Sequence, residues 1–113
     1  MNNITAVLFS RFGMGHGPAQ LQQVLADKFL KLSLENGTIP GKILFITDGV
    51  RLACSGSLVL GALRDCEAEG AELVLCSTCL EALGLLDEVE VGIVGGMGDI
   101  IEALTRAEKV ISL

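Results

Sequence analysis

Aromatic residues are scarce in this 113-residue chain: there are four phenylalanines and no tryptophan or tyrosine, 4% in all. The core must therefore come from Leu, Val, Ile and Ala, and half of the residues are hydrophobic. Aliphatic, β-branched runs with few rings suit a parallel sheet covered by helices on both faces. The eight Lys and Arg residues are scattered and have no rings between them on which bases could stack. The formal net charge is −6, where a phosphate backbone demands a basic surface. Nucleic acid is excluded as a partner. No apolar run approaches the roughly 18 to 20 residues of a membrane-spanning helix. Met1-Asn2-Asn3-Ile4 has neither the charged nor the apolar region of a signal peptide. The expectation is a cytoplasmic protein without a membrane partner.

Repeats, low-complexity tracts and linkers are also missing, so residues 1–113 read as a single domain. A chain of this length buries roughly two-thirds of the surface it exposes when unfolded, enough for a core without disulfide or metal staples. The only two prolines, Pro18 and Pro40, fall where a helix or strand should begin. Ile4 to Phe9 reads as a buried strand, followed by a glycine-rich loop from Arg11 to Gly17. A helix starts at Pro18, with Leu21, Val24, Leu25, Phe29 and Leu32 as its buried stripe and Asn36-Gly37 as its left-handed stop. Ile43 to Thr47 is the second strand and Asp48 to Gly56 the loop after it. Ser57 to Glu69 is a second helix, on whose stripe Leu63 and Cys66 have packing roles. Leu73 to Leu75 is the third strand, and a short helix beginning at Cys79 runs to about Leu85. Val91 to Val94 is the fourth strand, Asp99 and Glu102 have capping-box spacing at the start of a last helix, and Val110 to Leu113 is a final strand. Strict alternation of strand and helix implies right-handed crossovers: an α/β fold, a three-layer α/β/α sandwich with a mainly parallel five-stranded sheet.

In such a sandwich the loops after the strands gather at the carboxyl edge of the sheet, where ligands bind. Those loops hold Gly13, Gly15, His16, Gly17, Asp48, Cys54, Cys76, Cys79 and Gly95 to Gly98. Cys76 follows a strand and Cys79 opens a short helix, where unpaired N–H groups and the helix dipole favour thiolate. A lone cysteine is more often a small, inert core residue; a Cys-x-x-Cys pair at a strand's carboxyl end points instead to thiol chemistry. Cys54 and His16, with the pair, would make a Cys3His zinc set, but their isolation in sequence argues against a metal. The run Gly13 to Pro18 resembles a phosphate cradle yet lacks the Lys and Ser/Thr of a P-loop and the spacing of a dinucleotide fingerprint. Its glycines serve a tight turn or close packing equally well. Asp48 and Arg51 have no role beyond capping and surface charge.

Phe45 to Ser57, reading F-I-T-D-G-V-R-L-A-C-S-G-S, resembles the "N-S-G-V-K-L-x-C-x-G-S" segment of YedF-like proteins. Cys76-Ser77-Thr78-Cys79-Leu80 is similar to their "C-G-T-C-L", Val91 to Met97 to their "V-G-x-x-T-N-M", and Met14-Gly15-His16-Gly17 to their "M-G-x-G". The resemblance runs in register along nearly the whole chain. YedF-like domains belong to the DsrE group of sulfur-relay proteins, which share a three-layer α/β/α fold and often form trimers or hexamers. The resemblance implies a sulfurtransferase-like protein in which Cys76 carries sulfane sulfur as a persulfide and Cys79 resolves it. It implies binding roles for Cys54, Gly15, His16, Gly17, Asp48 and Met97, no cofactor, and a link to selenium metabolism. The partners implied are sulfur-donor and sulfur-acceptor proteins, with a separate TusA-like carrier because no such domain precedes this one. The family's Thr-Asn before Met is Gly95-Gly96 here, and Pro18-Ala19-Gln20 replaces its acidic residues after "M-G-x-G". Two other readings stand beside this one. The first is a non-catalytic oligomeric module holding a metal or small anion at the glycine-rich edge; the second is a thiol–disulfide redox protein.

Overall fold

The computed structural model describes residues 2–113 of the chain. Strands β1 (Asn2–Phe9), β2 (Pro40–Phe45), β3 (Glu72–Cys76), β4 (Ile93–Gly95) and β5 (Lys109–Ser112) form one sheet in the order β4-β3-β2-β1-β5, and every neighbouring pair is parallel. Successive strand residues point to opposite faces. Val7, Phe9, Ile43, Phe45, Leu73 and Leu75 join one apolar cluster, whereas Ala6, Leu8, Leu44, Ile46 and Val74 join another. Both faces of the sheet are therefore apolar and both need cover. Helices α1 (Ala19–Asn36), α2 (Leu60–Ala68) and α3 (Ser77–Ala82) cover the first with Ala26, Leu30, Ala62, Leu63, Cys66 and Leu80. Helix α4 (Met97–Arg106) covers the second alone, burying Ile100 and packing Ala103 and Leu104 beside it. The result is the three-layer α/β/α sandwich with a five-stranded parallel sheet that the alternation of strand and helix implies. No helix among the described residues is long and apolar enough to cross a membrane.

Several local expectations shift. Pro18 lies just ahead of α1, and the stop at Asn36-Gly37 forms as expected: Gly37 has φ 68°, and Thr38 N–H donates to the Ser33 carbonyl at 2.9 Å. The buried face of α1, however, runs through Gln23, Ala26, Leu30 and Ser33. Leu21, Leu25 and Leu32 are about half exposed, because the helix is rotated to seat its smaller residues against α2 and the sheet. The second strand starts at Pro40 and ends at Phe45, so Thr47 lies outside it. Residues Thr47–Ala53, expected as the end of the strand at Thr47 and as loop from Asp48 on, form a 3-10 helix that buries Val50, Leu52 and Ala53. In α4, Asp99 is not the capping residue; it lies in the first turn and its carboxylate accepts the Gly96 N–H at 2.9 Å.

The carboxyl ends of β1 and β2 are locked together. Phe9 and Phe45 pair in register and their rings stack with centroids 5.8 Å apart, a contact worth about 0.5–1.5 kcal/mol beyond burial. The Phe9 carbonyl then accepts the Ile46 N–H at 3.0 Å. The chain turns so closely over this carbonyl that a side chain at Gly49 would land on it. Gly61, at the start of α2, has nothing near its missing Cβ. The two glycines should respond oppositely to one substitution. Gly49→Ala should lower stability by about 1–3 kcal/mol through overpacking, and Gly61→Ala should raise it by roughly 0.5–1 kcal/mol by restricting the unfolded chain. Urea midpoints of the two variants against wild type measure both signs.

Candidate functional site

The end of β3 delivers Cys76 to the carboxyl edge, and the chain passes directly into α3 at Ser77. Cys79 is thus the third residue of that six-residue helix rather than its first. Cys76 is the extended residue that caps this helix, so both cysteines stand at its start. Cys76 lies close enough to Cys79 to raise its pKa, and both are free thiols. Their exposure differs. Cys76 is 1% exposed, while Cys79 is partly open and shares a depression of about 230 Å³ with Thr47, Asp48, Ala82 and Leu83.

Thr47 is the residue that the sequence reading missed. Its backbone N–H donates to Cys79 Sγ at 3.1 Å. Its φ is 47°, the only positive φ at a non-glycine among the described residues. A β-branched residue pays roughly 1–2 kcal/mol for that conformation. The Thr47 hydroxyl lies 2.6 Å from the Ser10 carbonyl and 2.7 Å from the Ile46 carbonyl, and its one proton, shared between them, ties the turn to the end of β1. Asp48, next in the chain, pairs with Arg51 at 3.0 Å on the surface, an exposed contact contributing about 0–1 kcal/mol.

Burial dominates the electrostatics of these thiols. Cys79 is held above the usual thiol value, first by burial; the Thr47 N–H opposes this and Cys76 adds to it. The thiolate expected from a helix N-terminus is therefore not favoured at Cys79, where burial outweighs the one opposing group, the Thr47 N–H. Cys54 is shifted upward too, by burial first and then by Glu88. Cys66 is pushed up to about 11 by burial and by Asp65.

The other candidates lie apart from the pair. Cys54 is 2% exposed and its thiol donates to the Val50 carbonyl at 3.3 Å. His16 is exposed in the glycine-rich loop. Among the described residues no three His, Cys, Asp or Glu side chains come together to hold a metal, so the Cys54–His16–Cys76–Cys79 set is not gathered. The loop itself folds back onto α1. Met14 N–H donates to the Gln22 carbonyl at 3.0 Å, Gln22 Nε2 donates to the Gly17 carbonyl at 2.8 Å, and Arg11 reaches the Gly15 carbonyl at 3.1 Å. A side chain at Gly13 would strike the Gln22 backbone. Close packing on α1 accounts for Gly13, and the carbonyls of Gly15 and Gly17 are turned to side-chain donors of the chain itself. Met97 opens α4 and is 42% exposed.

The DsrE/DsrF-like family model matches residues 14–113. The ychN protein from E. coli superposes with a TM-score of 0.68 at 17% identity, covering all of both chains. A protein of unknown function from Methanobacterium thermoautotrophicum gives a TM-score of 0.70 at 16% identity, over 98% of this chain and 100% of that one. A conserved protein of unknown function from Bacteroides thetaiotaomicron gives 0.69 at 16% identity, over 97% and 95%. These likenesses show the fold. No curated protein matches the chain significantly in sequence.

The upward shift of Cys79 has a direct readout. Only thiolate reacts with iodoacetamide, so alkylation of Cys79 at pH 7 should be slower than that of a free small-molecule thiol. The rate should still be climbing above pH 9, the ordinary thiol value. Mass-spectrometric alkylation rates across pH check this, and a plateau below pH 8 would show that thiolate is favoured after all.

Proposed function

The chain belongs to the DsrE/DsrF-like family, and from that membership together with its thiol pair we propose that it is a sulfur-relay protein carrying sulfane sulfur as a cysteine persulfide. The observation that carries this reading is the placement of two free thiols, Cys76 and Cys79, where β3 passes into α3 at the carboxyl end of the sheet, beside an opening that one of them shares. One thiol takes the terminal sulfur of a donor persulfide and the donor leaves as a thiol. Attack by the second thiol on the inner sulfur then expels hydrosulfide and leaves a Cys76–Cys79 disulfide. The proximity of the two sulfurs supports this step, since exchange depends on access and on a neighbouring thiol. The relay has donor and acceptor proteins as partners, a separate TusA-like carrier among them, and works in the cytoplasm.

The chain is further proposed to assemble as a trimer or hexamer. Two sets of apolar residues support association: Leu21, Leu25 and Leu32 on α1, and Ile93, Val94, Met97 and Ile101 around β4 and α4, all more than two-fifths exposed. The same thiol pair favours thiol–disulfide exchange as a second reading, which needs a redox partner in place of a sulfur donor.

Intact mass of the reduced protein after incubation with a cysteine desulfurase and cysteine separates the two. The relay expects a gain of one sulfur atom that dithiothreitol removes. A reversible Cys76–Cys79 disulfide with no sulfur adduct at any time would replace the relay with simple redox exchange.

A further inference from the structure

We infer that sulfur reaches the pair through Cys79 rather than Cys76, and that the backbone amide of Thr47 is the group that receives negative charge as it develops on the Cys79 sulfur. The inference rests on the sulfur-relay reading and assigns the roles within it.

Access comes first. A donor persulfide must bring its terminal sulfur to bonding distance of the attacking atom, along the line of the S–S bond that breaks. Cys76, 1% exposed at the end of β3, offers no such path. Cys79 does, through the depression it lines with Thr47, Asp48, Ala82 and Leu83. The resemblance to YedF-like proteins puts the persulfide on the residue at the strand's end; the geometry puts the donor against the residue one helical turn further on.

The second observation is the aim of Thr47. Its N–H points at Cys79 Sγ from 3.1 Å, and the left-handed backbone that turns it there is the only such conformation at a non-glycine among the described residues. The hydroxyl bond to Ser10 at 2.6 Å clamps the turn. Strained backbone of this kind persists only where the surroundings hold it, and it clusters at functional sites. A neutral thiol gains little from a peptide N–H, whereas a thiolate makes a charge-assisted bond about twice as strong. The contact therefore strengthens as Cys79 loses its proton, and it lies on the sulfur that burial otherwise keeps neutral.

The step balances without a co-reactant. Cys79 yields its proton to solvent, and the thiolate attacks the terminal sulfur of R–S–SH. The donor's S–S bond breaks as the new one forms on Cys79, and the donor sulfur departs as a thiolate that takes up a proton. Cys79–SH and R–S–SH become Cys79–S–SH and R–SH. Cys76 stands behind as the thiol that discharges it.

Intact mass after desulfurase treatment, on wild type, Cys76→Ser and Cys79→Ser, tests the order of the thiols. The sulfur adduct should be lost in Cys79→Ser and should accumulate in Cys76→Ser, where nothing discharges it. Loss of the adduct in Cys76→Ser overturns the assignment and leaves the relay standing on Cys76. No adduct in either wild type or Cys76→Ser overturns the relay and the inference with it. The amide is tested through its clamp. Thr47→Ala should slow sulfur uptake about tenfold and move the alkylation midpoint of Cys79 to higher pH, while Thr47→Ser, which keeps the hydroxyl, should restore both. An unchanged midpoint in Thr47→Ala, with the variant folded by circular dichroism, overturns the role of the amide.

Discussion

The Phe9 carbonyl is the fixed point on which the carboxyl edge of this sheet is built. Stacking of Phe9 on Phe45 sets β1 against β2 at the height where both strands end. With the register fixed, the carbonyl takes the Ile46 N–H, and the chain can bend over it only because Gly49 has no side chain. The Ser10 carbonyl then stands where the Thr47 hydroxyl can reach it. On the other side, Ser10 N–H and hydroxyl donate to the Leu113 carbonyl, which ties in the end of the chain beyond β5. A stacked pair worth about a kcal/mol thus decides the placement of a turn two residues away. Preorganisation of this kind depends on rigid strands feeding short, over-determined loops.

Against that frame the Cys-x-x-Cys spacing has a plain physical meaning. One residue ends the strand and the other lies in the first turn of the helix that follows, so a single chain reversal sets one sulfur inside and the other near the surface. Cys76 caps the helix that carries Cys79, which brings the two thiols to the same end of α3. Burial then works against reactivity, since it penalises the thiolate on Cys79 and more strongly on Cys66. A buried thiol that must ionise needs a local donor, and peptide N–H groups are the donors that carry no charge of their own. This is the setting in which an unfavourable φ at Thr47 makes energetic sense. The 1–2 kcal/mol lost to strain is of the size that one charge-assisted hydrogen bond returns.

Much of the fold was legible because it rests on periodicity. Leu73, Val74 and Leu75 read as a strand buried on both faces, and both clusters of the sandwich draw on them. The Asn36-Gly37 stop was legible because only a left-handed residue satisfies those carbonyls. The orientation of α1 was not. Leu21, Leu25 and Leu32 repeat at helical spacing as convincingly as any core stripe, yet Ala26, Leu30 and Ser33 face the sheet. Hydrophobic period reports that a helix has an apolar face. It cannot report which of two apolar faces meets this chain's own core, and a helix with small residues on one side and leucines on the other is ambiguous for that reason.

The site was legible in its atoms and not in its geometry. The thiols stood out by type and spacing, and the topology placed them at the right edge of the sheet. Cys54 and His16 stood out as well, but position after a strand says only that a residue is near an edge some tens of ångströms long; the 3-10 helix carries Cys54 into the core, and the glycine loop leaves His16 exposed on its outside. Thr47 was hidden for a different reason. Threonine after Ile43 to Ile46 has high strand propensity and extends the run naturally. Its contribution is a main-chain N–H, a group every residue but proline possesses, turned by a φ that threonine disfavours. No residue type announces a backbone donor. Only the closure of the turn over Phe9 and the hydroxyl on Ser10 turn an ordinary strand-former into the group facing the reactive sulfur, so this part of the site becomes visible only once the strands are paired.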